Sequence, residues 1–147
     1  MNRRVEFLLG GFAVLVVMAL VLLGRTSEAS KVKDEVSRQS ALWNSGDVDG
    51  LFATLTASAQ QTCPLDVLQS LSARAPLGSG GEVALKNVDV RVQGGRAFVT
   101  GFVTVGGRLV WRIDDTDPAV YVKTGNDWMF DSMEKASAAC RIAGALG

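Results

Sequence analysis

The chain of 147 residues is the size of one domain and leaves no room for two. Lysine and arginine together number 15, as do aspartate and glutamate, so the chain has no overall field that would attract nucleic acid or an anionic surface. The sequence also lacks a basic stripe with interleaved aromatic side chains. We therefore expect no nucleic-acid partner.

An apolar segment near the N-terminus is the first predicted element. Phe7 to Gly24 is an unbroken apolar run of the length that spans a bilayer as a helix. Arg3 and Arg4 precede this run, and both charge signs follow it, which favours an N-terminus inside the cytoplasm and a body outside it. We expect a single-pass cell-membrane protein with residues 1–6 cytoplasmic, residues 7–24 in the membrane, residues 25–30 as a linker and the rest extracytoplasmic.

The alternative is a secreted protein. Ser27-Glu28-Ala29 supplies small residues at the two positions that a signal peptidase reads, so cleavage could follow Ala29. The apolar run is longer than the usual core of a signal peptide, which favours the retained anchor. No cysteine lies just after the run, so the sequence does not indicate a lipoprotein.

Three amphipathic helices are predicted before residue 72. The first starts at Lys31 and ends at Asn44-Ser45-Gly46, where the glycine can take the left-handed conformation. Asp47 is expected to cap the second helix and Cys63 the third, with Pro64 at the first position of the third. The apolar side chains expected on the second helix are Val48, Leu51, Phe52 and Leu55, and those on the third are Leu65, Leu68 and Leu71.

Strands are predicted after the loop of residues 72–82, which is rich in Gly, Ser and Pro. Valine alternates there with polar or aromatic residues, as in half-buried strands. Gly94-Gly95 and Gly106-Gly107 mark tight turns, and Thr124-Gly125-Asn126 marks a last hairpin. The sequence thus predicts an antiparallel meander. Helices followed by strands define an α+β domain in which three helices pack on a curved antiparallel sheet.

The corner between the first two helices carries a family resemblance. The stretch RQSALWNSGDVDGLFATLTASA, residues 38–59, resembles the first two helices of the nuclear transport factor 2-like superfamily, which includes ketosteroid isomerase and the polyketide cyclases. The shared phrase is a helix that ends in a small residue, Gly46 and Asp47, followed by an apolar two-turn helix. The resemblance implies a cone-shaped domain over residues 31–135, followed by a tail over residues 136–147.

The catalytic pattern of the isomerase is not kept. Gln39 stands where the resemblance implies the tyrosine of the oxyanion hole, and Cys63 stands where it implies the aspartate that acts as general base. Enolising a ketone needs both a base and an oxyanion donor, and a cysteine nucleophile needs a neighbouring base such as histidine, which the chain lacks. We expect no catalytic residue, no cofactor and no metal site. The acidic run Asp114, Asp115 and Asp117 is interpreted as a solvated turn.

The interior of the cone is the expected ligand site. Tryptophans at apolar positions of helices and strands are typical of core and pocket lining. The candidate pocket residues are Gln39, Trp43, Phe52, Cys63, Phe102, Trp111 and Trp128.

The two cysteines, Cys63 and Cys140, would lie outside the cytoplasm, where disulfides form and persist. We predict that they pair and tie the C-terminal tail to the helical layer. Two buried, unpaired thiols are the alternative, since free cysteine is among the most buried residue types.

These features favour a membrane-anchored, extracytoplasmic, non-catalytic domain. It would bind an apolar small ligand inside the cone, or dock an envelope protein or a second copy through the open sheet. The apolar segment resembles the membrane helix of envelope lipid-transport proteins of the mammalian cell entry type, which implies an accessory role in lipid transport. Inner-membrane components of secretion and conjugation machines also resemble one anchor followed by this fold, so an assembly component is one alternative. A diverged isomerase- or cyclase-like enzyme is the other, and it needs a pocket carboxylate that the sequence does not place.

Overall fold

The computed structural model describes residues 28–74 and 81–146. The predicted membrane segment, Phe7 to Gly24, lies outside the described residues, as does most of the loop before the first strand. Among the helices in the described ranges, none combines the length and the apolarity needed to cross a bilayer.

The first helix, α1, is described over residues 28–45, so it already includes residues that the sequence assigned to the linker. Val32 and Val36 form its buried stripe. The corner after α1 is as predicted: Gly46 has a φ of 74°, and Asp47 Oδ1 accepts a hydrogen bond of 2.9 Å from the amide of Gly50. Local capping rules therefore place the start of α2, Val48–Ala53.

The predicted second helix is interrupted at Leu55. This residue forms a parallel bridge with Phe130, in which the amide of Thr56 donates to Phe130 O at 2.9 Å and the amide of Phe130 donates to Thr54 O at 3.2 Å. An amide that donates to a strand is not available to a helix, so the helix stops and restarts. The result is two short helices, α2 and α3, the latter over Ala57–Thr62.

Cys63 was predicted to cap the start of the third helix, and the structure corrects this assignment. The helix that carries the predicted apolar side begins at Leu65, directly after Pro64, whereas Cys63 is the residue at which α3 ends. Thr56 Oγ1 caps the start of α3 by accepting from the amide of Ala59 at 3.2 Å. The next helix, α4, covers Leu65–Arg74. Cys63 therefore lies in the short connection between two helices.

Five strands form one antiparallel sheet in the described chain, with β2 at its centre. One edge of β2 pairs with β1, while the other pairs with β4 at residues 96–99 and with β3 at residues 101–105. The predicted meander is confirmed for β1, β2 and β3, which pair in chain order, and so is the last hairpin, in which β4 pairs with β5. The pairing that the sequence did not predict is that of β4 with β2, on the same edge as β3. The strands are β1 Val83–Gln93, β2 Arg96–Val105, β3 Arg108–Ile113, β4 Ala119–Thr124 and β5 Asp127–Ser132.

A β-bulge lies opposite Gly101. The register between β1 and β2 shifts between Lys86 and Asp89, and Asn87 in this shift has a φ of 50°. A Cβ on Gly101 would lie 2.8 Å from Lys86 O, so the two backbones approach more closely than any other residue would allow. Bulges increase local twist, and this one helps to curve the sheet around the helices.

The core consists of two clusters of buried side chains. The first lies between α1 and the concave face of the sheet and contains Val32, Val36, Ala97, Val99, Ile113, Ala119, Tyr121, Trp128 and Met133. The second lies among the helices and contains Leu55, Ala59, Cys63, Leu68 and Cys140. The half-buried side chains of α2, Val48, Leu51 and Phe52, pack on the second cluster.

The C-terminal tail contains a helix that the sequence analysis did not predict. This helix, α5, covers Glu134–Ala145 and buries Cys140. The structure contains the predicted disulfide between Cys63 and Cys140, whose Cα atoms are 5.3 Å apart. The tail is thus covalently tied to the end of α3.

Candidate functional site

A cavity of about 340 Å³ lies between α1 and the concave face of the sheet. This volume is within the range of small-molecule sites, about 300–1,000 Å³. Helices α2, α4 and α5 contribute one side chain each. The lining residues are Val36, Gln39, Ser40, Trp43, Leu51, Leu55, Leu68, Val83, Ala84, Leu85, Val99, Val103, Ile113, Ala119, Tyr121, Phe130, Met133 and Ala136.

The cavity is apolar. Within the described ranges, its lining includes no aspartate, glutamate, lysine or arginine. Ser40 donates its hydroxyl proton to Val36 O at 3.1 Å, inside its own helix. The polar character of the wall therefore comes mainly from the side chains of Gln39, Trp43 and Tyr121.

Gln39 lies at the centre of a hydrogen-bond network in the cavity wall. Its Oε1 accepts from the hydroxyl of Tyr121 at 2.7 Å, and its Nε2 donates to Thr54 Oγ1 at 2.9 Å. The same Nε2 lies 3.4 Å from Glu35 Oε1. Arg38 binds both oxygens of Glu35, at 2.9 and 3.0 Å, on the solvent side. The network thus connects a buried phenol to a surface ion pair.

Tyr121 is 4% exposed. Burial raises the pKa of its hydroxyl well above the ordinary value, and the charge of Glu35 adds to this shift. The phenol therefore stays neutral throughout the physiological pH range. A neutral phenol that already donates its proton is neither a base nor a free oxyanion donor.

Two of the predicted pocket residues, Gln39 and Trp43, line the cavity. They lie four residues apart on α1 and therefore on the same helical face. Phe52 and Cys63 do not line it, because both side chains pack in the cluster among the helices, where Cys63 is bonded to Cys140.

The three predicted strand residues also lie outside the lining. Phe102 alternates with Val103, and because Val103 faces the cavity, Phe102 faces outward, with Arg112 5.6 Å from its ring centroid. Trp111 lies beside α5, where the ammonium of Lys135 is 5.6 Å from its ring centroid. Trp128 is buried next to the start of α1 and donates its indole proton to Glu28 Oε2 at 2.9 Å.

Tyr121, the only tyrosine of the chain, lines the cavity although the sequence pattern did not predict it. A signal was present: Ala119 and Tyr121 alternate with Val120 and Val122, and the structure buries the first pair and not the valines. The pattern was ambiguous because all four positions are apolar or aromatic. Leu55 and Phe130 were also missed as partners, since their bridge joins distant parts of the chain.

Two carboxylates of the acidic run, those of Asp114 and Asp117, have structural partners. Asp114 Oδ1 accepts from the amide of Thr116 at 3.0 Å within the turn. Asp117 accepts from the amides of Glu134 at 2.7 Å and Lys135 at 3.0 Å. It thereby caps α5, whose own N-cap residue, Met133, has no side-chain hydrogen bond.

Comparison with known proteins identifies the fold of this chain. No family model and no curated relative matches the chain. A nuclear transport factor 2-like protein with a cystatin-like fold from Novosphingobium aromaticivorans superposes with a TM-score of 0.51 at 17% identity, over 87% of this chain and 94% of that one. A protein of unknown function from Mycobacterium tuberculosis gives a TM-score of 0.50 at 13% identity, over 78% and 70%.

A proposed dehydratase of the nuclear transport factor 2-like family from Streptomyces avermitilis gives a TM-score of 0.48 at 19% identity, over 71% of this chain and 91% of that one. The two higher-scoring likenesses, together with the layered helices and curved sheet, show that the described chain has the nuclear transport factor 2-like fold. This fold hosts unrelated functions, so function must be argued from the cavity.

Proposed function

We propose that the protein binds an apolar small molecule in the cavity between α1 and the sheet and performs no chemistry on it. The observation that carries this proposal is a cavity of about 340 Å³ whose described lining is apolar except for a few polar side chains. Burial of apolar ligand surface would supply the affinity, at roughly 25 cal/mol per Å² before the costs of association.

The absence of acid–base groups from the described lining supports binding over catalysis. Proton transfer needs a titratable group within hydrogen-bond reach of the substrate. Tyr121 is the titratable side chain of the described lining, and burial raises its pKa. Glu35 is held on the far side of Gln39 by Arg38.

The setting that we propose for this domain is the outer face of a membrane. The apolar run Phe7 to Gly24 would hold it there. The disulfide between Cys63 and Cys140 supports an extracytoplasmic body, because the cytoplasm keeps most thiols reduced. A ligand-binding domain in this place suits an accessory of lipid transport in the cell envelope.

The outer face of the sheet gives less support to partner docking. Its two phenylalanines each lie close to an arginine: the guanidinium carbon of Arg91 is 5.3 Å from the ring centroid of Phe98, and that of Arg112 is 5.6 Å from that of Phe102. Such contacts cover apolar rings with charge. We therefore place the primary function in the cavity.

The proposal is tested by filling the cavity. Ala136 lines it and Ala139 lies exposed on the same helix, so Ala136→Phe and Ala139→Phe form a matched pair. The probe is naphthalene, titrated calorimetrically into the full chain in lipid nanodiscs, with empty nanodiscs as the blank. We expect binding to the wild-type chain and to Ala139→Phe, and at least tenfold weaker binding to Ala136→Phe. Equal binding by both variants, or no binding above the blank, would contradict the proposal.

A further inference from the structure

The direction of each hydrogen bond around Gln39 follows from Glu35. Arg38 binds both oxygens of Glu35, so this carboxylate can only accept. The Gln39 atom 3.4 Å from Glu35 Oε1 must therefore be the amide nitrogen, because an amide oxygen there would face a negative charge. The other amide atom, which faces Tyr121, is then the oxygen.

With this orientation, each polar side-chain proton of Tyr121, Gln39 and Thr54 has an acceptor within the network or in the backbone. The hydroxyl of Tyr121 donates to Gln39 Oε1, and Gln39 Nε2 directs its protons at Thr54 and Glu35. The hydroxyl of Thr54 donates to Leu51 O at 2.6 Å. Tyr121 Oη and Gln39 Oε1 each keep an unused lone pair, because each oxygen can accept more hydrogen bonds than the network donates to it.

We propose that the cavity selects apolar ligands that carry a neutral hydrogen-bond donor, such as an alcohol, and discriminates against ligands that present a carbonyl or a carboxylate to Tyr121 and Gln39. This inference rests on the proposed ligand-binding function. An alcohol can donate to either oxygen, whereas a ketone oxygen placed there would meet only lone pairs and leave a polar group unpaired in an apolar cavity. The charge of Glu35 behind Gln39 disfavours an anionic group further.

Trp43 is the remaining side-chain donor of the described lining. Its indole lies one helical turn beyond Gln39 along α1, so a carbonyl would have to bind there, away from the network. A ketone that bound to this donor would not need the network, and the alcohol would then have no advantage in affinity. Comparing the affinities of an alcohol and a ketone with the same carbon skeleton therefore measures the preference.

Borneol, camphor and bornane share one rigid carbon skeleton and carry a hydroxyl, a ketone and no oxygen, respectively. Each is titrated calorimetrically into the full chain in nanodiscs, with empty nanodiscs as the blank. We expect borneol to bind at least about fivefold more tightly than camphor, the value of one net neutral hydrogen bond. Equal affinities, or a preference for camphor, would overturn the inference while leaving ligand binding intact. Failure of all three ligands and of naphthalene to bind would refute the proposed function itself.

The variant Gln39→Met tests the assigned direction. It removes the acceptor of the Tyr121 hydroxyl, which then becomes free to donate into the cavity, so we expect the borneol preference to disappear or to reverse. Gln61→Met, an exposed position on α3, is the matched control and should keep the wild-type ratio. An unchanged borneol preference in Gln39→Met would overturn the assignment. The wild-type ratio alone remains decisive if this variant does not fold.

Discussion

Asn44 and Val83, which are 39 residues apart in the chain, bind each other through two hydrogen bonds. Asn44 Nδ2 donates to Val83 O at 2.8 Å, and the amide of Val83 donates to Asn44 Oδ1 at 2.9 Å. The pair joins the end of α1 to the start of β1. Trp43 and Val83 both line the cavity, so this connection fixes one side of the candidate site.

Replacing Asn44 should loosen this junction. We expect Asn44→Ala to lower the free energy of unfolding by about 1–2 kcal/mol, because two hydrogen bonds are lost at an exposed position. Urea unfolding followed by circular dichroism measures the change. Ser45→Ala removes only a local bond to Leu42 O and should cost less than about 0.5 kcal/mol. If Asn44→Ala lowers the free energy of unfolding no more than Ser45→Ala does, the junction does not contribute to stability.

The disulfide should be a main contributor to stability. It closes a loop with a sequence separation of 77, and removing such a bond costs about 4 kcal/mol in the chain-entropy account. We expect the double variant Cys63→Ala, Cys140→Ala to unfold at a correspondingly lower urea concentration. A loss below about 1 kcal/mol, or two free thiols found by non-reducing mass spectrometry of the folded protein, would contradict the role assigned to this bond.

Acid should release the start of α1 from the sheet. The pKa of Glu28 is lowered from 4.5 to about 2 by hydrogen bonds from Lys31, then Lys123, then Trp128. Since the folded-state pKa lies below the unfolded one, this stabilisation is present above pH 4.5 and is lost as the pH falls toward about 2.

Glu28→Gln should therefore flatten the pH dependence of the unfolding free energy in that window, and Trp128 fluorescence should report the local change. Glu82→Gln, at an exposed position, is the control and should leave the dependence unchanged. If the wild-type chain and Glu28→Gln lose stability in parallel between pH 4.5 and 2, the assignment to Glu28 is incorrect.

Asp117 should stabilise α5 from outside the helix. It accepts from the first two amides of α5, so Asp117→Ala leaves both without their partner. We expect a loss of about 1 kcal/mol in unfolding free energy and faster hydrogen exchange of the backbone amides of α5. Asp115→Ala, an exposed neighbour, should have little effect. If the backbone amides of α5 exchange no faster in Asp117→Ala than in the wild-type chain, Asp117 does not act as the cap.

Local rules explain what could be predicted of the fold. The corner at Gly46 and Asp47 depends on capping that is readable within a few residues. The turns at Gly94, Gly106 and Gly125 were predictable for the same reason, because glycine is the residue that readily adopts a positive φ, and all three do so in the structure. Such signals need no knowledge of the rest of the chain.

Distant contacts explain what could not be predicted. The helix break at Leu55 depends on Phe130, and although Thr56 can cap a new helix, nothing in the local sequence shows that Phe130 lies beside it. The placement of Phe102 failed differently: side chains alternate along a strand, so taking the wrong one of two neighbours moves a residue to the other face of the sheet. Gln39 and Trp43 both line the cavity, and their spacing of four residues on α1 puts them on one helical face.

Methyl chemical shifts on addition of naphthalene show whether the cavity between α1 and the sheet holds an apolar ligand. Ring currents should shift the methyl signals of Leu55, Val99 and Val103, which line the cavity. The signals of Val120 and Val122, which alternate with the cavity-lining residues Ala119 and Tyr121 on β4, should stay in place. Shifts confined to Val120 and Val122, or no shift at any of the five, would contradict the proposed binding of an apolar ligand.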